Sequence, residues 1–326
     1  MIEPGLKSVI RKNISEKQTF AVIRLPGDNP RIIFPHGKER FVITDWRGNS
    51  YSLDAPYHDV PEGTVEKETP KEDYLNQLNS LIGSLQMTPD RKIVLSRVIN
   101  FNDKKVDWTE VAEDLWDNFP GAVGFLFYTP GTGFWLGATP ETLFKTDAKG
   151  NFFTHALAGT KYIDEPWDKK NREEQKFVSD FIYSILESEN LDFEKGETGD
   201  LVYGNLKHLN TSFTGKLPAN YDITPLLNRL SPTPAVAGFP RGFALDKLEN
   251  IERHDRKCYS GYITVTDENG SSSFVTIRCI NFDIDRRESA IYVGGGITAL
   301  SDALKELEET ERKASRLLSL LKKHSV

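Results

Sequence analysis

Cysteine is nearly absent from this sequence: Cys258 and Cys279 are the only two. Two thiols build neither a disulfide framework nor a four-ligand zinc site, and the six histidines include no His-x-x-x-His pair. Long apolar runs are also missing. The opening MIEPGLKSVIRKNISEK has no apolar signal core, and no stretch approaches membrane-spanning length. A cytoplasmic protein without a membrane partner is expected. Asn-x-Ser matches such as Asn13-Ile-Ser15 carry no meaning without secretion. Positive charge is sparse: 41 Lys and Arg against 48 Asp and Glu leave a net charge of −7. Basic pairs such as Lys104-Lys105, Lys169-Lys170 and Lys322-Lys323 make no stripe able to follow a phosphate backbone, so no nucleic-acid partner is expected. Anionic small molecules stay open, because local cations in a cleft outweigh the global charge. Internal repeats, low-complexity tracts and a linker between two autonomous halves are absent too.

What is present is ordinary globular composition, 38% hydrophobic and 27% charged over 326 residues, with ample length for a large core. Apolar spacing predicts helices over Tyr74–Met87, Trp108–Phe119, Lys169–Ser188 and Asp302–Lys322. Alternating patterns predict strands at Thr19–Leu25, Phe41–Thr44, Lys92–Phe101, Leu143–Lys145, Phe152–Ala158, Tyr259–Thr266, Ser273–Phe282 and Ala290–Val293, with a hairpin over Ala122–Tyr128 and Phe134–Leu136. A charged loop is expected from about Asp54 to Asp73. Strand runs mixed with helices, without regular βαβ alternation, indicate an α+β architecture.

Two helices carry acidic residues in unusual places. Glu174 shares a face with Val178, Phe181 and Ile185, and Glu306, Glu309 and Lys313 share a stripe with Leu317 and Leu320. Such carboxylates either snorkel or pair on a solvated face, or they hold a hard cation while Lys313 faces an anion. Upstream, Gly294-Gly295-Gly296 is either a plain loop or a place where backbone amides approach an anion. Glu174 and Glu309 suit magnesium if their helices converge.

Eight short stretches then carry a resemblance: Lys92-Ile-Val-Leu-Ser-Arg97, Gly137-Ala-Thr-Pro-Glu141, Ala156-Leu-Ala-Gly-Thr160, His208-Leu-Asn-Thr211, Pro232-Thr-Pro-Ala-Val-Ala-Gly238, Tyr259-Ser-Gly261, Thr276-Ile-Arg278, and the run from Gly294 through Glu309-Thr310 to Lys313. In this order they resemble the chorismate-utilising enzymes, a family that includes isochorismate, salicylate, anthranilate and aminodeoxychorismate synthases. The resemblance implies one chorismate-binding domain over residues 1–326, with a shortened N-terminal part (1–90) and a motif-bearing core (91–326). It also implies two facing β-sheets flanked by helices, Mg²⁺ as cofactor, chorismate as substrate, and a monomer. Amine-transferring relatives typically have Gln at the position of Lys92, and the aminodeoxychorismate enzymes a Lys nucleophile at that of Ala158. This chain therefore resembles the isochorismate and salicylate synthases, whose nucleophile is water, and isochorismate synthase is the expectation. A salicylate synthase and an inactive chorismate-binding protein are the alternatives.

By that resemblance Lys92 is the expected base and Glu141 the expected general acid. Glu174 and Glu309 are the expected metal ligands, with Glu306 behind them. Arg278 and Tyr259 form the clamp on the enolpyruvyl carboxylate, and Gly295 and Lys313 line the ring-carboxylate site. Ala158 and Gly159 form the small pocket, with His208 nearby in a role the sequence does not supply. Without the resemblance, Lys92 reads as a strand-end lysine in solvent and Glu141 as a turn carboxylate. Five positions depart from the family pattern: Asn171, Gln175, Ser231, Lys257 and Gly295.

Overall fold

The computed structural model describes residues 1–56, 64–102, 104–203 and 206–326. In chain order the elements are α1 (Pro4–Ser15), β1 (Phe20–Arg24), β2 (Arg31–Ile33), β3 (Arg40–Thr44), β4 (Ser50–Ser52), α2 (Lys71–Gln86), β5 (Lys92–Asn100), α3 (Trp108–Asn118), β6 (Val123–Thr129), β7 (Gly133–Thr139), β8 (Thr142–Asp147) and β9 (Asn151–Tyr162). They continue with α4 (Lys169–Ser188), β10 (Asp192–Lys195), β11 (Gly199–Tyr203), β12 (Leu206–Lys216), α5 (Ile223–Leu230), β13 (Gly238–Phe239), α6 (Arg241–Ile251), β14 (Tyr262–Asp267), β15 (Gly270–Val275), β16 (Cys279–Asp283), β17 (Glu288–Ile297) and α7 (Ala303–Lys323).

The strands form two antiparallel sheets. One runs β13-β5-β17-β16-β7-β6-β1-β2; the other runs β10-β12-β9-β8-β15-β14-β3-β4, with β11 paired to β12. Period-two alternation explains the layering. In β6, Phe125 and Phe127 join a core shared with Ile263, Val265 and Phe274 of the second sheet, whereas Leu126 and Tyr128 pack among α1, α3 and α7. The outer face of the second sheet packs on α4 and α5 through Ala156, Val178, Ile182 and Leu226. The expected α+β pair of facing sheets flanked by helices is the observed fold. Among the described residues, no helix is long and apolar enough to cross a membrane.

The long helices stop and start where their end residues dictate. Asp168 accepts the backbone N–H of Asn171 at the start of α4, and Asp302 that of Lys305 at the start of α7. Lys322 and Lys323 sit in the last turn of α7, where the helix dipole favours cations.

The structure departs from the sequence expectation in three places. The strand expected over Ser273–Phe282 is two strands in different sheets, β15 and β16, broken at Thr276–Arg278, where Arg278 takes φ +51°. Tyr259 lies in the turn before β14 rather than in a strand. α1, β10–β12, α5 and α6 had no distinct pattern in the sequence. Part of the loop expected over 54–73 falls on residues 57–63, outside the described residues.

Close packing at α3 fixes the first sheet. Trp116 is 1% exposed and donates its indole N–H to the Gly137 carbonyl at 3.0 Å. A Cβ at Gly124 would lie 2.6 Å from the Trp116 ring. Gly124→Ala should therefore cost about 1–3 kcal/mol of stability, read as a lowered urea midpoint at unchanged m-value. An unchanged midpoint would show that the ring relaxes freely.

Candidate active site

Next to the short edge strand of the first sheet, β5 pairs with β17 in register Val94↔Gly296, Leu95↔Gly295 and Ser96↔Gly294. Three successive glycines leave this strip without side chains, and neighbours from both faces occupy the space. A Cβ on Gly296 would lie 2.5 Å from Lys92 Cε, and one on Gly294 would lie 3.0 Å from the Tyr259 hydroxyl. Gly295 points the other way, where a Cβ would lie 3.3 Å from Glu306 Oε2. Alternation thus puts Lys92 and Tyr259 on one face of the strip and Glu306 on the helix side.

Lys92 opens β5, with its side chain 13% exposed, and its Nζ lies 3.6 Å from Glu174 Oε2 on α4. From α7, Lys313 Nζ donates to the Gly294 carbonyl at 2.8 Å and pairs with Glu309 Oε1 at 2.7 Å. Glu174 and Glu309, from two different helices, are therefore each one lysine contact away from the strip. Glu306 is buried and accepts from the Ser301 hydroxyl at 2.7 Å. Among the described residues there is no cluster of three or more Asp, Glu, His or Cys able to hold a metal. The available donors are oxygens, two carboxylates each balanced by a lysine, which fits a hard divalent cation that keeps waters and completes its shell with substrate.

Glu141 sits between β7 and β8, held by its backbone: its carbonyl accepts from Val275 N at 3.0 Å and its N–H donates to Thr139 Oγ1 at 3.2 Å. Burial pushes its carboxyl up to about 7, against the opposing pull of the Thr233 hydroxyl (3.3 Å), Arg278 and Lys92. An acid in that range keeps its proton near neutrality and can still release it. Arg278, at the break between β15 and β16, has its guanidinium 5.3 Å from the Phe119 ring. Its own affinity for a proton is lowered mainly by burial, with Glu141 opposing. Tyr259 is 5% exposed and stacks on Tyr292 at 5.5 Å, and burial raises its phenol to about 12, so it remains a neutral donor.

Ala158 and Gly159 lie late in β9, Ala158 paired with Leu209. Gly159 takes φ +70°, a conformation that suits glycine, and its carbonyl accepts from His208 Nδ1 at 2.9 Å. Burial is the main factor lowering the His208 pKa.

Four of the five departures have a physical account. Gln175 is 2% exposed and donates to the Ala156 carbonyl (3.0 Å) and Thr211 Oγ1 (2.9 Å), tying α4 to β9 and β12. Asn171 donates its backbone N–H to the Asp168 cap at 2.9 Å and lies beside Gly159, where an added Cβ would meet its own Cβ at 3.4 Å. Lys257 adopts φ +50°, the left-handed backbone that a glycine takes without strain, and its Nζ pairs with Glu66 at 3.3 Å. Gly295 leaves Glu306 its room. Ser231 precedes a cis proline and offers its carbonyl to Arg241, and nothing in the structure explains the choice of serine there. Thr233, the hydrogen-bond partner of Glu141, was missed as a site residue although it lies in the quoted Pro232-Thr-Pro stretch.

Comparison with known proteins identifies the family. The family described as chorismate binding enzyme matches residues 49–322. The isochorismate synthase EntC of Escherichia coli K12 is 29% identical over 277 residues, covering 80% of this chain and 70% of that protein. The isochorismate synthase MenF of Haemophilus influenzae is 31% identical over 262 residues, covering 76% of this chain and 59% of that protein. The solved structure of MenF, the menaquinone-specific isochorismate synthase from Escherichia coli, superposes with a TM-score of 0.78 at 19% identity, covering 94% of this chain and 90% of that one. With a family match that spans most of its length, the chain belongs to the chorismate-binding enzymes.

Proposed function

We propose that this protein is an isochorismate synthase, converting chorismate to isochorismate. The observation that carries the reading is the placement of Glu141, bound by the Thr233 hydroxyl at 3.3 Å and in electrostatic reach of Lys92 and Arg278, where burial favours the protonated acid. Such a pairing suits a reaction that protonates a leaving hydroxyl while deprotonating an attacking water.

Lys92 takes a proton from water as its oxygen bonds to C2 of the ring. The double bonds shift, and the C4–oxygen bond breaks as Glu141 delivers its proton, so that water leaves. Arg278 and Tyr259 hold the enolpyruvyl carboxylate, the planar guanidinium suiting a two-oxygen contact. Lys313 and the Gly295 backbone line the position of the ring carboxylate. Ala158 and Gly159 leave room at C2, where a larger side chain would exclude water. His208, its Nδ1 committed to the Gly159 carbonyl, borders the same region. Glu174 and Glu309 would hold Mg²⁺, with Glu306 behind them, and the ion would neutralise the ring carboxylate and withdraw electron density from the ring.

Purified protein should convert chorismate to isochorismate only when Mg²⁺ is present, with products resolved by chromatography. Salicylate with pyruvate would assign it to the salicylate synthases, and chorismate binding without turnover would make it a sensor. Glu309→Gln should raise the Mg²⁺ needed for half-maximal rate by about tenfold, as the loss of one charged ligand predicts, and an unchanged magnesium titration would move the ion elsewhere. The alkaline limb of the pH profile gives a third test. Glu141 acts while protonated, so kcat/KM should fall as pH rises through about 7. Thr233→Val removes a hydrogen bond that favours the carboxylate and should move that limb to higher pH; an unmoved limb would take Glu141 out of the role.

A further inference from the structure

β5 is bordered on one side by β17 and on the other by β13, but β13 is only two residues long and pairs with Lys92 and Ile93 alone. The Ala237 carbonyl accepts the next N–H, from Val94 at 2.9 Å. Beyond that point side chains replace the missing strand. Glu252 Oε1 accepts the Ser96 N–H at 2.7 Å, and Arg256 Nη2 donates to the Val94 carbonyl at 2.6 Å. Thr69 then takes over, its hydroxyl accepting from Val98 N at 3.1 Å and its N–H donating to Val98 O at 2.9 Å.

Glu252 and Arg256 are 5% and 1% exposed and bind each other through both carboxylate oxygens, at 2.6 and 2.7 Å. Glu252 also accepts from the Ser96 hydroxyl at 2.8 Å, which contacts His254 Nε2 at 2.9 Å. Arg256 reaches two more segments. Its Nη1 donates to the Val236 carbonyl at 2.8 Å, in the turn that begins with Thr233, and its own carbonyl accepts the N–H of Tyr259 at 2.8 Å. The far side of the guanidinium is covered by the Trp46 ring, 4.1 Å away.

The ion pair thus meets three chain segments: β5, which opens with Lys92; the turn of Thr233, which donates to Glu141; and the turn of Tyr259, where Arg256 Nη1 donates to the Ser260 hydroxyl at 3.3 Å. We propose that the Glu252–Arg256 pair is a positioning element that sets the base, the acid's hydrogen-bond partner and the substrate clamp relative to one another. This rests on the isochorismate synthase reading. A buried ion pair is weak evidence for net stability, since desolvation offsets much of its attraction. Its value here is in geometry, where a displacement of about 1 Å costs on the order of a hundredfold in rate.

The test is Glu252→Gln in the full chain, with kcat, KM for chorismate, the pH profile and thermal midpoint measured beside the wild type. The expected result is a kcat lowered tenfold or more and a shifted limb near pH 7, with KM within threefold, at a temperature where circular dichroism shows the variant folded. A folded variant with unchanged kcat and limb would overturn the proposal and leave the pair a stability device. Should the variant not fold, Ser96→Ala decides. It removes one hydroxyl contact of Glu252 and keeps the backbone bond. A kcat lowered severalfold at constant KM supports positioning, and an unchanged kcat refutes it. Absence of wild-type turnover would instead sink the functional reading itself, so the two failures are separable.

Discussion

Three glycines in a central strand are the constraint on which the site depends. Gly294, Gly295 and Gly296 are flanked in space by the Tyr259 hydroxyl, Glu306 and Lys92, each at a distance no Cβ would tolerate without movement. Elsewhere β17 carries apolar side chains such as Ile291 and Tyr292 that fill the cores on either face. The side-chain-free strip is what allows a lysine to fold down over a sheet otherwise packed to the density of a core. It also exposes a backbone carbonyl, that of Gly294, to Lys313 from α7.

Around that strip, charge is arranged in pairs. A protein with net charge −7 would repel a dianion at long range, so the site must offer its cations locally. Lys313 does so while resting against Glu309, and Arg278 does so beside Glu141. Each carboxylate proposed to meet the metal thus has a lysine partner.

Much of this was legible in the sequence because the relevant signals are periodic or local. The spacing of Glu174 on α4 and of Glu306, Glu309 and Lys313 on α7 placed them on the correct helices, and the boundaries of α4 matched to the residue. What spacing cannot supply is the partner of each residue: only the fold sets Glu174 against Lys92 and Lys313 against the Gly294 carbonyl. The break between β15 and β16 was hidden because Arg278, not glycine, takes the left-handed turn that carries the chain from one sheet to the other. β10 to β12 are rich in charged and polar residues, and alternation is faint there. Glu252 and Arg256 were invisible for a related reason, since a charged residue after a helix reads as solvated surface unless one knows that an unfinished strand edge needs partners. Gln175 and Lys257, which looked like losses of family residues, instead make a buried tie between helix and sheet and a glycine-like turn.

The central claim is that Lys92, laid over the bare strip, is the base that activates water. Gly296→Ala tests it most directly, because the added methyl meets the flexible end of Lys92 at 2.5 Å and leaves the strand backbone unstrained. The account predicts a folded variant with a near-native melting temperature that still binds chorismate but forms isochorismate at least about a hundredfold more slowly, the cost of misplacing a reacting group by about 1 Å. Turnover at the wild-type rate would contradict it and remove Lys92 from the chemistry.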